Sequence, residues 1–255
     1  MTTPNSWLEE RTEELKAAIV FCTRLPLLRA TPTPGGALAK AAWAFPLAGL
    51  LVGLIGAIIY VFAHRAGLPP WLAAALAVAA TLLATGCLHE DGLADTADGF
   101  GGGKSREQKL DIMRDSRIGT YGVCALAISL LLRVGALASL PNAHLVVWAL
   151  IASHAASRAT MPVLMMLLPP ARSDGLSFEA GRPPSESVAA AAVIGFLVLA
   201  IALHIGHGLL ALFFLGVIVA LMAWLASRQI AGQTGDVMGA LEQVSEIAIL
   251  LVAVG

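Results

Sequence analysis

Seven carboxylates fall within 26 residues of this chain, among them Glu90, Asp91, Asp95, Asp98, Asp111 and Asp115, in the stretch LHEDGLADTADGFGGGKSREQKLDIMRDSRIGTYG that runs from Leu88 to Gly122. On a helix, Asp91, Asp95 and Asp98 lie within an arc of about 60°, and Asp111 and Asp115 are one turn apart. The glycine-rich GFGGGKS between the two groups is flexible enough to reverse the chain, so both can offer carboxylates towards one point. Like charges gathered this way hold either protons or a cation. With neither His nor Cys among the five aspartates, the donors suit a hard ion, Mg²⁺ or Mn²⁺. Two such ions can clamp a phosphoryl group and bind its attacking and leaving oxygens. Lys104, Arg106, Arg114 and Arg117 stand close by to neutralise a pyrophosphate. A solvated loop of local ion pairs accounts for KSREQK. It gives no reason to space aspartates at i, i+4 and i+7 beside Gly92 and Gly99, where a bulky ligand can approach. His89 either contacts a substrate phosphate or base, or caps the helix.

The elements that hold these residues must be membrane helices. The chain has 255 residues, 58% of them hydrophobic and 13% charged, with a mean hydropathy of +0.80, against about 25% charged in soluble domains. Seven apolar stretches, 39–63, 71–88, 120–140, 144–168, 188–206, 208–226 and 236–255, approach the roughly 20 residues a helix needs to cross a bilayer. The fold class expected is therefore an all-α polytopic membrane protein, about seven spans in one catalytic domain over 1–255, with the acidic helix continuing from the second span. Small-xxx-small spacing at Gly49 and Gly53 suits close helix contact. Of the 16 Lys and Arg, 13 fall in segments that a cytoplasmic N-terminus leaves inside, Arg65 falls outside, and Arg133 and Arg158 fall within spans. That asymmetry puts 88–118, 169–187 and 227–236 on the cytoplasmic face.

The opening NSWLEERTEELKAAIVF is too acidic for a signal peptide, and Ser6 with Glu9 has capping-box spacing, so an interfacial helix is expected there. Beyond it, Arg24 and Arg29 either meet an anion or anchor the surface. Net charge −1 offers no bulk attraction for nucleic acid. Cys22, Cys87 and Cys124 read as small hydrophobes with no disulfide or zinc pattern. Arg158, mid-span, needs a partner such as Glu242 or Glu246, or a polar cavity. Arg133 is expected to snorkel, and Asp236 either caps the last helix or faces the cavity. The 169–187 loop is long enough to form a lid.

LHEDGLADTADGFGGG with KLDIMRDSRIGTYG closely resembles the signature of the cobalamin synthase family, the adenosylcobinamide-GDP ribazoletransferases. TRLP at Thr23–Pro26, FPLAGLLVG at Phe45–Gly53, Arg158, and GQTGDVMGALEQVSE at Gly232–Glu246 extend the likeness along most of the chain. The resemblance implies a Mg²⁺-dependent enzyme of the inner membrane, its site facing the cytoplasm. It would join adenosylcobinamide-GDP to α-ribazole or its 5′-phosphate and release GMP. On that reading Asp91, Asp95, Asp98, Asp111 and Asp115 hold the metal and do the catalysis, with Asp115 proposed as the base. His89, Glu90, Lys104, Arg114, Arg117, Arg158 and Asp236 bind substrate, Arg158 through phosphate. Membrane lipid is a further partner, and a homo-oligomer or contacts with other late corrinoid-pathway enzymes are compatible with it. Asp95-x-x-Asp98-Gly99 followed by Asp111-x-x-x-Asp115 also echoes the CDP-alcohol phosphotransferases, without their Ala-Arg pair. A lipid phosphotransferase is thus one alternative, and a transporter with Arg158, Glu242 and Glu246 on its ion path is another.

Overall fold

The computed structural model describes residues 4–25 and 36–255; Arg29 lies outside them. Among the described residues every regular element is a helix, and the one extended pairing is an isolated bridge between Pro170 and Gln233. The helices are α1 (Pro4–Cys22), α2 (Ala37–Ala41), α3 (Phe45–Arg65), α4 (Pro70–Thr85), α5 (Leu88–Gly102), α6 (Arg106–Ile112), α7 (Thr120–Ser139), α8 (Ala143–Leu167), α9 (Leu176–Ala180), α10 (Ser185–Ala202), α11 (His204–Ile230) and α12 (Gly235–Val254). Every one of the seven apolar stretches forms a helix. Five of these are long and apolar enough to cross a membrane, from Ala37–Arg65, α7, α10, α11 and α12, and six if α4 and α5 together make one broken span. The seventh stretch, α8, spans about 37 Å at 25 residues, but its middle is SHAASRAT, too polar to face lipid. It is wrapped by α3, α10 and α12 instead. Leu83, Leu131, Ile201, Phe213 and Trp224 stand exposed on the outer helices, as lipid-facing residues do.

Close backbone contact fixes α8 at the centre. A Cβ added at Gly53 would lie 2.6 Å from the Leu150 carbonyl oxygen, and Gly49 sits just as tightly against His154. The small-residue spacing on α3 thus has a concrete partner. The N-terminal helix starts at Pro4, and the Ser6 side chain lies outside the described residues. Its later turns pack inward: Ala18 and Cys22 are fully buried, and Glu14 accepts a 2.6 Å hydrogen bond from the Trp43 indole.

The acidic helix does not continue from the second span. Gly86 and Cys87 both take left-handed backbone (φ 64° and 58°), and the Cys87 N–H bonds the Leu82 carbonyl, closing α4 in a Schellman turn. The helix axis bends by 90° there, and α5 starts afresh along α12 and α7. Its contact with α12 is between backbones, because a Cβ on Gly92 would sit 2.7 Å from the Asp236 carbonyl oxygen and 3.1 Å from Gly239 Cα. Gly92 therefore serves helix packing, and Gly99 likewise meets Met113 and the Lys109 carbonyl. As expected, the chain reverses after Gly102 into α6.

Candidate active site

Along α5 the carboxylates divide by face. Asp91 and Asp95, one turn apart, line a cavity of about 520 Å³ together with Glu90, Arg114, Asp115 and Ser116. Asp236, in the first turn of α12, joins them from the other side: Asp95 is beset by the like charges of Asp91, Asp236 and Asp98, opposed by Arg172. Thr234 caps α12, accepting from the Val237 N–H, which leaves the Asp236 carboxylate free to pair with Arg172 at 2.8 Å. Arg172 carried no signal in the sequence. It reaches the site because backbone bonds between Ala171 and Gln233 and between Gln233 and Pro169 pin its loop to the GQTG turn.

Asp98 faces elsewhere. Its Oδ2 accepts from the Gly119 N–H (2.7 Å) and its Oδ1 from the Gly122 N–H (2.9 Å), so it caps α7 from a neighbouring helix. A Cβ on Gly119 would stand 2.5 Å from that carboxylate, which explains the glycines of RIGTYG. The expectation of Asp98 as an open metal ligand is revised accordingly. Asp111 and Asp115 do not share a helical face either, because α6 ends at Ile112. Asp111 is exposed on α6 away from the cavity, whereas Asp115 turns back from the following loop and pairs with Arg117 at 2.6 Å. The Arg117 side chain and its backbone N–H hold the Asp115 carboxyl down at about 2, a weak proton acceptor near neutral pH. Asp115 is thus held as an anion beside Arg117 at the cavity wall.

The cations also separate. Arg114 lines the cavity and pairs with Asp174, Lys104 is exposed beyond the end of α5, and Arg106 is tied to the Ile230 and Ala171 carbonyls. Arg24 lies against the α4–α5 bend, its N–H bonded to the Ala84 carbonyl. Arg158 binds no cavity: it is 1% exposed and pairs with Glu242 at 2.6 Å. The phosphate contact expected of it gives way to this ion pair. Arg133 does not snorkel, because Glu90 and Glu246 each meet it at 2.9 Å inside the protein. Gln243 bridges these pairs by donating to Glu90 (3.1 Å) and Glu242 (3.0 Å), and Ser157 donates to Glu242. Three buried carboxylates and two guanidiniums thus tie α5, α7, α8 and α12 together, and removing one partner of such a pair costs about 3–5 kcal/mol.

Does this donor set fit a metal? His154, Glu242 and Glu246 are the group of described residues whose ligand atoms converge within 4.8 Å, yet their carboxylates are already matched by Arg133 and Arg158. That group is an ion-pair network. The aspartates at the cavity do not converge as tightly, but they present oxygen donors alone, crowd one another's charge and open onto space. Mg²⁺ is commonly held by one or two carboxylates plus substrate phosphates rather than by an all-protein cage. Asp91, Asp95 and Asp236 fit that manner of binding.

The family model described as cobalamin-5-phosphate synthase matches residues 14–254. The adenosylcobinamide-GDP ribazoletransferase of Bradyrhizobium diazoefficiens is 58% identical over 94% of this chain and 92% of its own length. That of Mesorhizobium japonicum is 55% identical over 99% and 98%. No solved structure matches. This chain belongs to the cobalamin-5-phosphate synthase family.

Proposed function

We propose that this enzyme joins adenosylcobinamide-GDP to α-ribazole or α-ribazole 5′-phosphate at the cytoplasmic face of the inner membrane, releasing GMP in a Mg²⁺-dependent reaction. The observation that carries the reading is that Asp91 and Asp95 line the 520 Å³ cavity while Asp236 on α12 adds its charge beside Asp95, in a chain whose relatives are named for this transfer. A ribose hydroxyl attacks the phosphorus bearing the corrinoid's arm, the bond to the GMP oxygen breaks, and the hydroxyl proton departs. Asp91, Asp95 and Asp236 would hold the cation, which supplies neutralising charge to the diphosphate. Arg172 keeps Asp236 turned towards Asp95, and Arg114 offers donors to phosphate from the cavity wall. Asp115, fixed as an anion by Arg117, adds charge without taking the proton, so Asp91 and Asp95 are the acceptors left at the cavity. The 13-to-1 division of basic residues supports a cytoplasmic placement of this face.

The test is GMP release by the lipid-reconstituted protein supplied with adenosylcobinamide-GDP and α-ribazole. Wild type releases GMP only with Mg²⁺, and Asp95→Asn loses at least about 100-fold in kcat (~2.7 kcal/mol). Undiminished turnover in Asp95→Asn would overturn the metal assignment.

A further inference from the structure

The loop between α8 and α10 makes a contact that the reaction does not use. Asp174 is no wall of the 520 Å³ cavity, yet both its oxygens accept from Nη2 of Arg114, which is. The pair lies at the surface, its side chains 49% and 62% exposed. Pairs of this kind contribute little stability and are readily screened. Two carboxylate oxygens on a single guanidinium nitrogen also fall short of the fork that arginine offers a phosphate, in which two nitrogens donate in parallel. Asp174 thus holds Arg114 weakly, where a phosphate would hold it well.

The chain around Asp174 is built to move. Its flanks are fixed: the Ala171 N–H bonds the Gln233 carbonyl at 2.8 Å, and Arg182 donates to the Met166 carbonyl at 2.9 Å. Between them α9 is bracketed by Gly175 (φ 84°, ψ 173°) and Gly181 (φ 76°, ψ −173°), both in backbone that essentially glycine alone adopts. Between these hinges Ser177 donates to Gln233, and the Glu179 carbonyl accepts from the Gly36 N–H. Leu176 and Phe178 are more than half exposed, so α9 is lightly held. Leu176 and Ala180 also close a second cavity, of about 160 Å³, whose walls include Asp91 and Asp236. Asp174 directly precedes the first hinge. We propose that Asp174 is an internal competitor for Arg114, which keeps α9 shut until the substrate's diphosphate displaces it. The diphosphate carries more charge than one carboxylate and engages the whole fork. Asp91 borders both cavities, so arrival of the diphosphate on one flank of this residue uncovers the other. This inference rests on the reaction proposed above.

The test uses the lipid-reconstituted full chain. Asp174→Asn removes the competing charge and lowers the KM for adenosylcobinamide-GDP about threefold. A residue that merely held Arg114 in place for the substrate would raise that KM when replaced. The movement of α9 is read from Ala180→Cys, buried on its inner side, in a chain freed of Cys22, Cys87 and Cys124. Inorganic pyrophosphate with Mg²⁺ speeds the reaction of this cysteine with a maleimide at least about threefold. Adding Asp174→Asn gives the raised rate without pyrophosphate, and pyrophosphate then adds nothing. A KM that stays or rises in Asp174→Asn, or a labelling rate that pyrophosphate leaves unchanged or slows, overturns the inference. If the cysteine-substituted chain does not fold, the KM decides alone. The labelling needs no turnover, so a pyrophosphate response without cobalamin formation would uphold the competitor and sink the reaction; cobalamin formation without that response would do the reverse.

Discussion

Asp95 and Asp98 are three residues apart on one helix and do opposite work. Asp98 spends both oxygens on the Gly119 and Gly122 N–H groups at 2.7 and 2.9 Å, whereas Asp95 sits among like charges beside a cavity. Asn at 98 puts an amide donor against one of those N–H groups, so Asp98→Asn should lose about 1–3 kcal/mol of stability. Asp95→Asn relieves repulsion and should melt no lower than wild type in the absence of metal. Thermal unfolding of both variants in lipid nanodiscs checks this; equal melting points would remove the distinction. Sequence spacing alone had put both side chains into one ligand set. An i, i+3 step is one shared face only to within about 60°, and which side of that arc meets a neighbour is decided by the neighbour.

At the scale of elements, α5 owes its place to glycine. Its contact with α12 brings Gly92 against Asp236 and Gly239, backbone to backbone, and so sets Asp236 opposite Asp95. Gly92→Ala puts a methyl 2.7 Å from a carbonyl that cannot rotate away. Overpacking of this kind costs about 1–3 kcal/mol, and the displaced α5 should lower turnover together with the melting temperature. Gly216→Ala on α11, where open space surrounds the added atom, should change neither. Paired activity and melting measurements would detect the difference, and an unaffected Gly92→Ala would show that α5 does not need this close approach. The same element also shows what periodicity leaves out. The apolar pattern ran through Leu88, but a left-handed pair at Gly86 and Cys87 ended the span and turned the next helix by 90°.

For the whole molecule, the distribution of basic residues argues that the turn after α5 and the α3–α4 turn lie on opposite sides of the membrane. In a variant freed of Cys22, Cys87 and Cys124, a cysteine at Lys104 should react with an impermeant maleimide in inside-out vesicles only, and one at Arg65 in right-side-out vesicles only. The reverse labelling would invert the orientation. The sequence by itself determined that the protein is a helical membrane protein and that its family is that of the cobalamin synthases. Those properties are local: composition, the length of apolar runs, and an unbroken motif. Tertiary structure alone decided that Arg158 and Arg133 are locked to Glu242, Glu90 and Glu246, that Arg172 pairs with Asp236, and that Asp111 stays off the 520 Å³ cavity. Each depends on which helices pack together. A buried guanidinium takes whichever carboxylate the neighbouring helix brings within about 3 Å, and no spacing along one chain segment specifies that neighbour.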